Sequence, residues 1–171
     1  DRVENGCGFG ILTSRASEAG LAISVSGDGL RTFLGNEAGE DVLRLLAEGL
    51  QGAGVDPERS ADLGSLWLRL GQQERAIRPL MTGAREASAR LKLTDAIALY
   101  DAVLSIEKVD ASTGDRARIE SARLFVALGR TDEAIERFRQ AKNDPESVLG
   151  LAEALIGSGR YREAAEALVT Q

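Results

Sequence analysis

The spacing of apolar residues changes along the chain from an irregular pattern to a helical one. Glycines interrupt residues 1–20, where we expect loop or poorly ordered chain. Residues 21–26 alternate apolar and polar side chains, as a half-buried strand does. A Gly-Asp-Gly turn at 27–29 follows, because glycine tolerates positive φ. Residues 30–34 then fit either the returning strand of a small hairpin or the start of a helix.

From residue 41 onward, apolar residues recur every three or four positions, which predicts helices. The first begins near Asp41, and the others are predicted at 58–70, 72–91, 94–107, 113–128, 131–142, 145–157 and 160–170. Gaps of a few residues between helices favour antiparallel neighbours. The sequence therefore predicts a Gly-rich irregular or hairpin segment, 1–40, and a helical repeat domain, 41–171.

Several predicted helix ends have local signals. Glycines that follow the last helical residue are typical C-terminal caps, and they stand at Gly71, Gly129 and Gly159. Thr131 is a candidate N-terminal cap, because two acidic residues follow it in the first turn. Pro145 suits the first turn of the next helix, where a missing N–H costs nothing.

An internal repeat is the strongest signal in the sequence. A Gly is followed five residues later by an Ala in Gly71/Ala76, Gly129/Ala134 and Gly159/Ala164, with a degenerate copy in Leu91/Ala96. The Gly ends one helix, and the Ala falls where two antiparallel helices come closest, so a larger side chain would push them apart. An apolar residue four positions later completes each face: Leu80, Tyr100, Phe138 and Leu168.

This pattern resembles the tetratricopeptide repeat family, whose unit is two helices over about 34 residues. The family pattern also prefers a small residue followed three positions later by a large apolar one. These two positions are filled by Gly64 and Trp67, Ala122 and Phe125, and Ala152 and Leu155, and Ala84 is the small residue of the degenerate copy. The resemblance covers about 57–171. It implies a mostly α fold, a right-handed antiparallel helical-repeat superhelix. The short step from Ala76 to Ala96 predicts one long helix, 72–91, shared between units.

Residues 41–104 also resemble a narrower group, the helical tails of bacterial signalling ATPases and kinase-linked regulators. That resemblance implies a regulatory segment of a larger signalling protein, preceded by the end of a winged-helix-like piece. No Gly-Lys-Ser/Thr phosphate loop occurs in the sequence. Because the chain begins with Asp1 rather than Met, we expect a piece of a longer or processed protein.

The predicted core is aliphatic, with few aromatic residues. It consists of Leu63, Leu66, Trp67, Leu70, Ala76, Leu80, Leu99, Phe125, Leu128, Ala134, Phe138 and Leu155. No predicted helix follows the last unit, so we expect one hydrophobic face there either to be exposed or to be continued by chain beyond residue 171. This predicts a homo-oligomer through the C-terminal repeat as one alternative.

Composition argues against catalysis. The chain has no His, which removes the commonest general base and the commonest zinc ligand. The single cysteine, Cys7, cannot form an internal disulfide and fits a reducing compartment, so we expect a cytoplasmic protein. The glycines around Cys7 lack the following helix that a phosphate cradle needs. We therefore expect that the protein is not an enzyme and that it binds neither a metal ion nor a cofactor.

Charge and hydropathy limit the classes of partner. The net charge is −6, and five of these negative charges fall in residues 1–56, so the repeat region is almost neutral. It has no basic stripe for nucleic acid. No run of about 18 apolar residues occurs that would span a membrane.

The positions that line the groove of such repeats carry several arginines. These positions predict a concave peptide-binding strip of Ser65, Arg69, Arg85, Arg116, Arg123 and Glu153. Guanidinium groups would bind an acidic or carboxylate-bearing peptide through forked hydrogen bonds. The alternative is an ordinary solvated face with pairs within one helix, such as Arg116 with Glu120. The sequence thus favours a protein–protein interaction module, with structural self-association as the alternative function.

Overall fold

The computed structural model describes residues 12–17, 20–25, 37–52, 57–141 and 144–169. The chain divides into two compact units, Asp1–Leu46 and Ala47–Gln171. The domain boundary at residue 41 stays a prediction.

A β-hairpin lies in the first unit. Strand β1, Leu12–Ser17, pairs antiparallel with β2, Gly20–Val25. The strand predicted near residue 21 is confirmed, but the prediction of loop over 1–20 is wrong for β1. The register sets Leu12 opposite Val25 and Ser17 opposite Gly20. The predicted turn at 27–29 and the segment 30–34 lie outside the described residues.

The rest of the described chain is helical. The helices are α1 (Glu37–Gly52), α2 (Ser60–Arg69, after a 3-10 turn at Pro57–Arg59), α3 (Gln73–Ala89), α4 (Leu93–Leu104), α5 (Ala111–Ala127), α6 (Thr131–Gln140), α7 (Pro145–Gly157) and α8 (Tyr161–Val169). The helices predicted after residue 57 are confirmed, including the long helix α3. From α2 onward, each packs chiefly against its neighbours in the chain, and α5 also contacts α7. Short connections between packed neighbours make this an antiparallel helical-repeat array.

Four connections share one backbone geometry. Gly71, Gly129 and Gly159 have φ of 68°, 74° and 78°, so all three predicted glycine caps are confirmed. After α5, the N–H of Gly129 donates to the Val126 carbonyl at 2.9 Å, and the next N–H donates to the Phe125 carbonyl at 2.8 Å. This is the Schellman motif, which satisfies the last carbonyls of a helix and reverses the chain.

Leu91 occupies the fourth such connection, between α3 and α4. Its φ is 60°, and it is the non-glycine residue with positive φ in the described chain. The N–H groups of Leu91 and Lys92 donate to the carbonyls of Ser88 and Ala87 at 2.9 Å, as in the glycine motifs. The degenerate copy therefore keeps the turn but places a branched side chain in a conformation that costs about 1–2 kcal/mol.

Leu91→Gly is expected to raise the free energy of unfolding by about 1 kcal/mol, because glycine adopts positive φ without steric cost. Little burial is lost, since the Leu91 side chain is 81% exposed. Urea titration followed by circular dichroism measures the change. Leu91→Ala is the control: it removes the side chain but keeps Cβ, so we expect almost no gain. An equal gain in both variants would contradict the backbone explanation.

Two helix starts, those of α5 and α7, use acidic caps. The Asp110 carboxylate accepts a hydrogen bond from the Thr113 N–H at 2.9 Å, before α5. Asp144 accepts from the Glu146 N–H at 2.9 Å, with Pro145 in the first turn of α7 as predicted. These two caps begin α5 and α7, each of which is the first helix of an antiparallel pair. The Schellman turns join helices within such pairs.

The predicted capping role of Thr131 is wrong. Arg130 is the N-cap residue of α6, and no side chain caps the helix. The preceding Schellman motif fixes the backbone one residue earlier than the sequence pattern indicates. The side chains at this helix start form an ion pair instead, in which Arg130 Nε donates to Glu133 Oε1 at 2.9 Å. The same pair recurs 30 residues later, where Arg160 Nε donates to Glu163 Oε1 at 2.7 Å.

The core follows the repeat positions. Trp67, Ala76, Leu80, Phe125, Ala134, Phe138 and Leu155 are buried as predicted, and so is Leu63. Leu66, Leu70 and Leu99 are partly buried against this core. The prediction of Leu128 as a core residue is wrong, because it is 38% exposed at the end of α5. The corresponding residues differ between repeats, because Ser158 is polar and exposed in the last one, whereas Leu70 is partly buried in the first.

Candidate functional site

Two of the predicted strip residues lie on one face of α5. Arg116 and Arg123 flank Glu120 at helical spacing, so all three side chains point to the same side. Arg116 Nε lies 3.0 Å from Glu120 Oε1, and Arg123 Nη1 lies 3.9 Å from Glu120 Oε2. The intrahelical pair considered as the alternative for this face is therefore present.

A residue from α7 joins this group. Glu146 Oε2 lies 3.7 Å from Arg116 Nη1, and Glu146 Oε1 lies 3.4 Å from Arg123 Nη2. Glu146 stands in the first turn of α7, where the positive helix end favours a carboxylate. Its Oε2 atom is buried and has no hydrogen-bond partner among the described residues. Two arginines and two glutamates thus form a neutral network between neighbouring repeats.

The network is weakly bound and open to competition. The side chains of Arg116, Arg123 and Glu146 are 47%, 48% and 43% exposed. Ion pairs that are this accessible to solvent contribute little stability each, because water and salt screen them. A ligand carboxylate that replaces Glu146 at a guanidinium group would therefore break only weak ion pairs within the protein.

The Tyr100 phenol lies close enough to Arg85, Arg116 and Glu120 for their charges to act on it. The Tyr100 side chain is buried in α4, and this burial raises its pKa to about 12. The Glu120 carboxylate adds to the rise, whereas the guanidinium groups of Arg85 and Arg116 oppose it. One phenol therefore lies within the electrostatic reach of α3 and α5. Arg85 itself is exposed and forms no ion pair with the part of the chain that the structure describes.

A groove opens beside the network. It has a volume of about 570 Å³ and is lined by Arg123, Val126, Phe138, Glu146, Leu149 and Glu153, among others. Its lining combines apolar side chains with both signs of charge. The predicted strip residue Glu153 is exposed here. The structure therefore brings Arg116 and Arg123 into one network and places Glu153 in the groove beside it. Arg85 is related to this group only through the effect of its charge on Tyr100.

The remaining two predicted residues stand apart, on α2. Ser65 and Arg69 are both exposed, and the Ser65 hydroxyl donates to the Ala61 carbonyl at 2.9 Å. Within the described residues, Arg69 forms no ion pair. Among the described residues, no hydrogen bond or ion pair links these two side chains to the network.

Sequence reasoning did not include Glu146 and Tyr100 in the site. Tyr100 carried a signal, since it was placed on a packing face, but its position beside two arginines depends on how α4 meets α5. Glu146 carried no local signal for the site, because only the packing of α7 on α5 brings it to Arg116.

Other kinds of site find no support among the described residues. There, no group of three or more Cys, Asp or Glu side chains is arranged to hold a metal ion. Likewise, none of the described helices combines the length and the apolar character needed to cross a membrane.

The chain is similar to known repeat proteins. A family model described as tetratricopeptide repeat matches residues 125–170. The crystal structure of MamA is 18% identical over 82% of this chain and 89% of that one, with a TM-score of 0.47. A putative kinesin light chain of Podosopora anserina with nearly identical TPR-like repeats is also 18% identical, over 82% of this chain and 89% of that one, with a TM-score of 0.43. No curated protein matches the chain.

The matched residues contain α6, α7 and α8 and the end of α5, which are joined by two of the glycine turns and one acidic cap. The same turns and the same buried positions recur earlier, in α2 to α4. The family model of the tetratricopeptide repeat therefore matches the C-terminal part of the helical array, residues 125–170.

Proposed function

We propose that this protein is an interaction module that binds a peptide segment of another protein along the strip from Ser65 to Glu153. The tetratricopeptide fold is consistent with a protein–protein interaction scaffold. The observation that carries the proposal is the open groove beside Arg123 and Glu153. A groove with an apolar lining and a few charged groups suits an extended segment, whose apolar side chains need burial and whose charges need partners.

The proposed partner segment is acidic. Arg85 is exposed and without a carboxylate partner in the described chain, so its guanidinium group is available for a ligand. Arg69 is available in the same way. Arg116 and Arg123 already share Glu120 and Glu146, and a ligand there would exchange one carboxylate for another. We therefore expect Arg85 to contribute more than Arg116 or Arg123 to the affinity for an acidic peptide.

The wider context is also a proposal. The resemblance of residues 41–104 to the tails of bacterial signalling ATPases supports a regulatory segment of a cytoplasmic signalling protein. Tetratricopeptide folds are typically non-enzymatic scaffolds, which supports a role without catalysis. Self-association is the alternative function, favoured by the exposed apolar side chains of the last repeat, such as Leu168.

Fluorescent peptides that share one apolar pattern but carry acidic, neutral or basic flanks test the proposal by fluorescence anisotropy. We expect the acidic peptide to bind about tenfold more tightly than the basic one, since each tenfold is only 1.4 kcal/mol. Arg85→Gln should remove most of this preference, whereas Glu153→Gln should strengthen binding of the acidic peptide by removing a like charge. Arg162→Gln, on α8 and away from the strip, is the matched control.

Equal binding of all three peptides would show that charge does not select the partner. No binding of any of them at concentrations near 1 mM would contradict the groove as a peptide site.

A further inference from the structure

The last helix exposes residues whose counterparts one repeat earlier are buried. A shift of 30 residues aligns α6 with α8, as the two glycine turns do. In α6, Ile135 is 2% exposed and Phe138 is 3% exposed. The corresponding residues of α8 are Ala165, which is exposed, and Leu168, which is 50% exposed. The interface between repeats therefore continues on α8 as an apolar face that none of the described residues covers.

The contact between α6 and α7 shows which residues a helix needs in order to cover such a face. Helix α7 crosses Phe138 at Gly150, and a Cβ atom at that position would overlap the phenyl ring. A large side chain on one helix is thus accommodated by a small residue on the other. A helix that covers Leu168 needs a small residue at the crossing and apolar residues on either side of it.

Helix α8 meets this requirement itself. Tyr161, Ala165 and Leu168 are spaced to form one stripe, and Tyr161 is 68% exposed. The small residue lies in the middle, with a large residue at each end. If two such helices run antiparallel about an axis at Ala165, each Leu168 lies against the Tyr161 of the other copy. The stripe is therefore complementary to itself, which a two-fold interface requires.

We propose that two copies of the chain associate through α8, antiparallel about a two-fold axis at Ala165. The stripe uses none of the six strip residues, so the dimer does not depend on the proposed peptide-binding function. One nine-residue helix per copy is a small interface, which makes the dimer weak. Each copy carries a net charge of −6, so salt should strengthen the association by screening repulsion while leaving the apolar contact intact.

Sedimentation velocity from about 5 µM to about 500 µM tests the proposal, because weak dimers dissociate within this range. We expect the average mass to rise from that of a monomer towards that of a dimer, with a lower Kd in high salt. Leu168→Glu should raise Kd at least about tenfold. Leu91→Glu is the control, since it makes the same change at an exposed leucine outside α8.

A monomer at every concentration would overturn the proposal, and so would equal effects of the two glutamate variants or a dimer that weakens in salt. Retained binding of the acidic peptide by Leu168→Glu would separate failure of the dimer from failure of the peptide site.

A cysteine at the axis tests the geometry independently. In a Cys7→Ser background, Ala165→Cys places two thiols opposite each other, and mild oxidation should give a covalent dimer in high yield. Disulfides form only when the two Cα atoms lie within about 7 Å. Leu91→Cys, equally exposed but away from the axis, should cross-link only slightly. Comparable cross-linking of the two variants would exclude the two-fold arrangement.

Discussion

Replacing Trp67 by alanine is expected to lower the free energy of unfolding by about 3–5 kcal/mol, which is typical of a buried large aromatic residue. The Trp67 side chain is fully buried in α2, and the guanidinium carbon of Arg75 lies 4.0 Å from its ring centroid. Glu48 of α1 lies 4.0 Å from that guanidinium group. Truncation therefore opens a cavity and removes the ring on which Arg75 rests.

A smaller aromatic ring at position 67 should keep most of the free energy of unfolding that alanine loses. The indole Nε1 of Trp67 is buried without a hydrogen-bond partner among the described residues, which is unfavourable by about 1–3 kcal/mol. Phenylalanine fills part of the space and has no N–H to satisfy. We therefore expect Trp67→Phe to cost at least about 2 kcal/mol less than Trp67→Ala. Leu45→Ala is the control, since Leu45 is 69% exposed and its loss should change little.

Urea titration followed at 222 nm measures these variants, because Trp67 is the only tryptophan and its fluorescence is lost with it. Repeat arrays are stabilised by contacts between nearest neighbours, so the damage should remain local. Hydrogen exchange should accelerate most in α2 and α3 and least in α8. Uniform acceleration along the whole array, or a loss below about 1 kcal/mol in Trp67→Ala, would contradict this account of the contact.

The sequence was most informative where the structure depends on local geometry. The turns at Gly71, Gly129 and Gly159 were predictable, because a glycine after an apolar helical run ends the helix by its own backbone freedom. The buried alanines that follow were predictable as well, since the fixed distance from the turn places them at the helix crossing. Even Leu91 was identified as a degenerate copy, although the sequence did not reveal that it keeps a positive φ.

Contacts between segments that are distant in the sequence could not be predicted from it. Nothing near Arg123 in the sequence indicates Glu146, and the pair forms only because α7 stacks on α5. The candidate strip was therefore predicted as a row of available arginines, whereas two of them share carboxylates. The strand β1, which pairs with β2, was not predicted, because the Gly-Asp-Gly turn at 27–29 is a stronger local signal than the pattern of residues 12–17. The predicted strand at 30–34 lies outside the described residues.

Gly83→Ala is expected to destabilise the protein by about 1–3 kcal/mol, the usual cost of overpacking a tight interface. Gly83 lies in the middle of α3, where it is buried against the start of α2. A Cβ atom at this position would lie 2.7 Å from the backbone nitrogen of Ala61 and 2.8 Å from its Cα. These are backbone atoms, so the strain cannot be relieved by rotating a side chain and the two helices must move apart.

Gly49→Ala provides the matched control for this substitution. Gly49 also lies within a helix, α1, but a Cβ atom there would have no neighbour within 4 Å. Alanine is favoured over glycine inside helices by about 1 kcal/mol, so this variant should become more stable. The same substitution is thus expected to act with opposite sign at the two positions, as measured by urea titration. Stabilisation of both variants would mean that α2 and α3 are not in close contact at Gly83. The close packing of α2 against α3 would then be wrong at the point where the two helices come nearest.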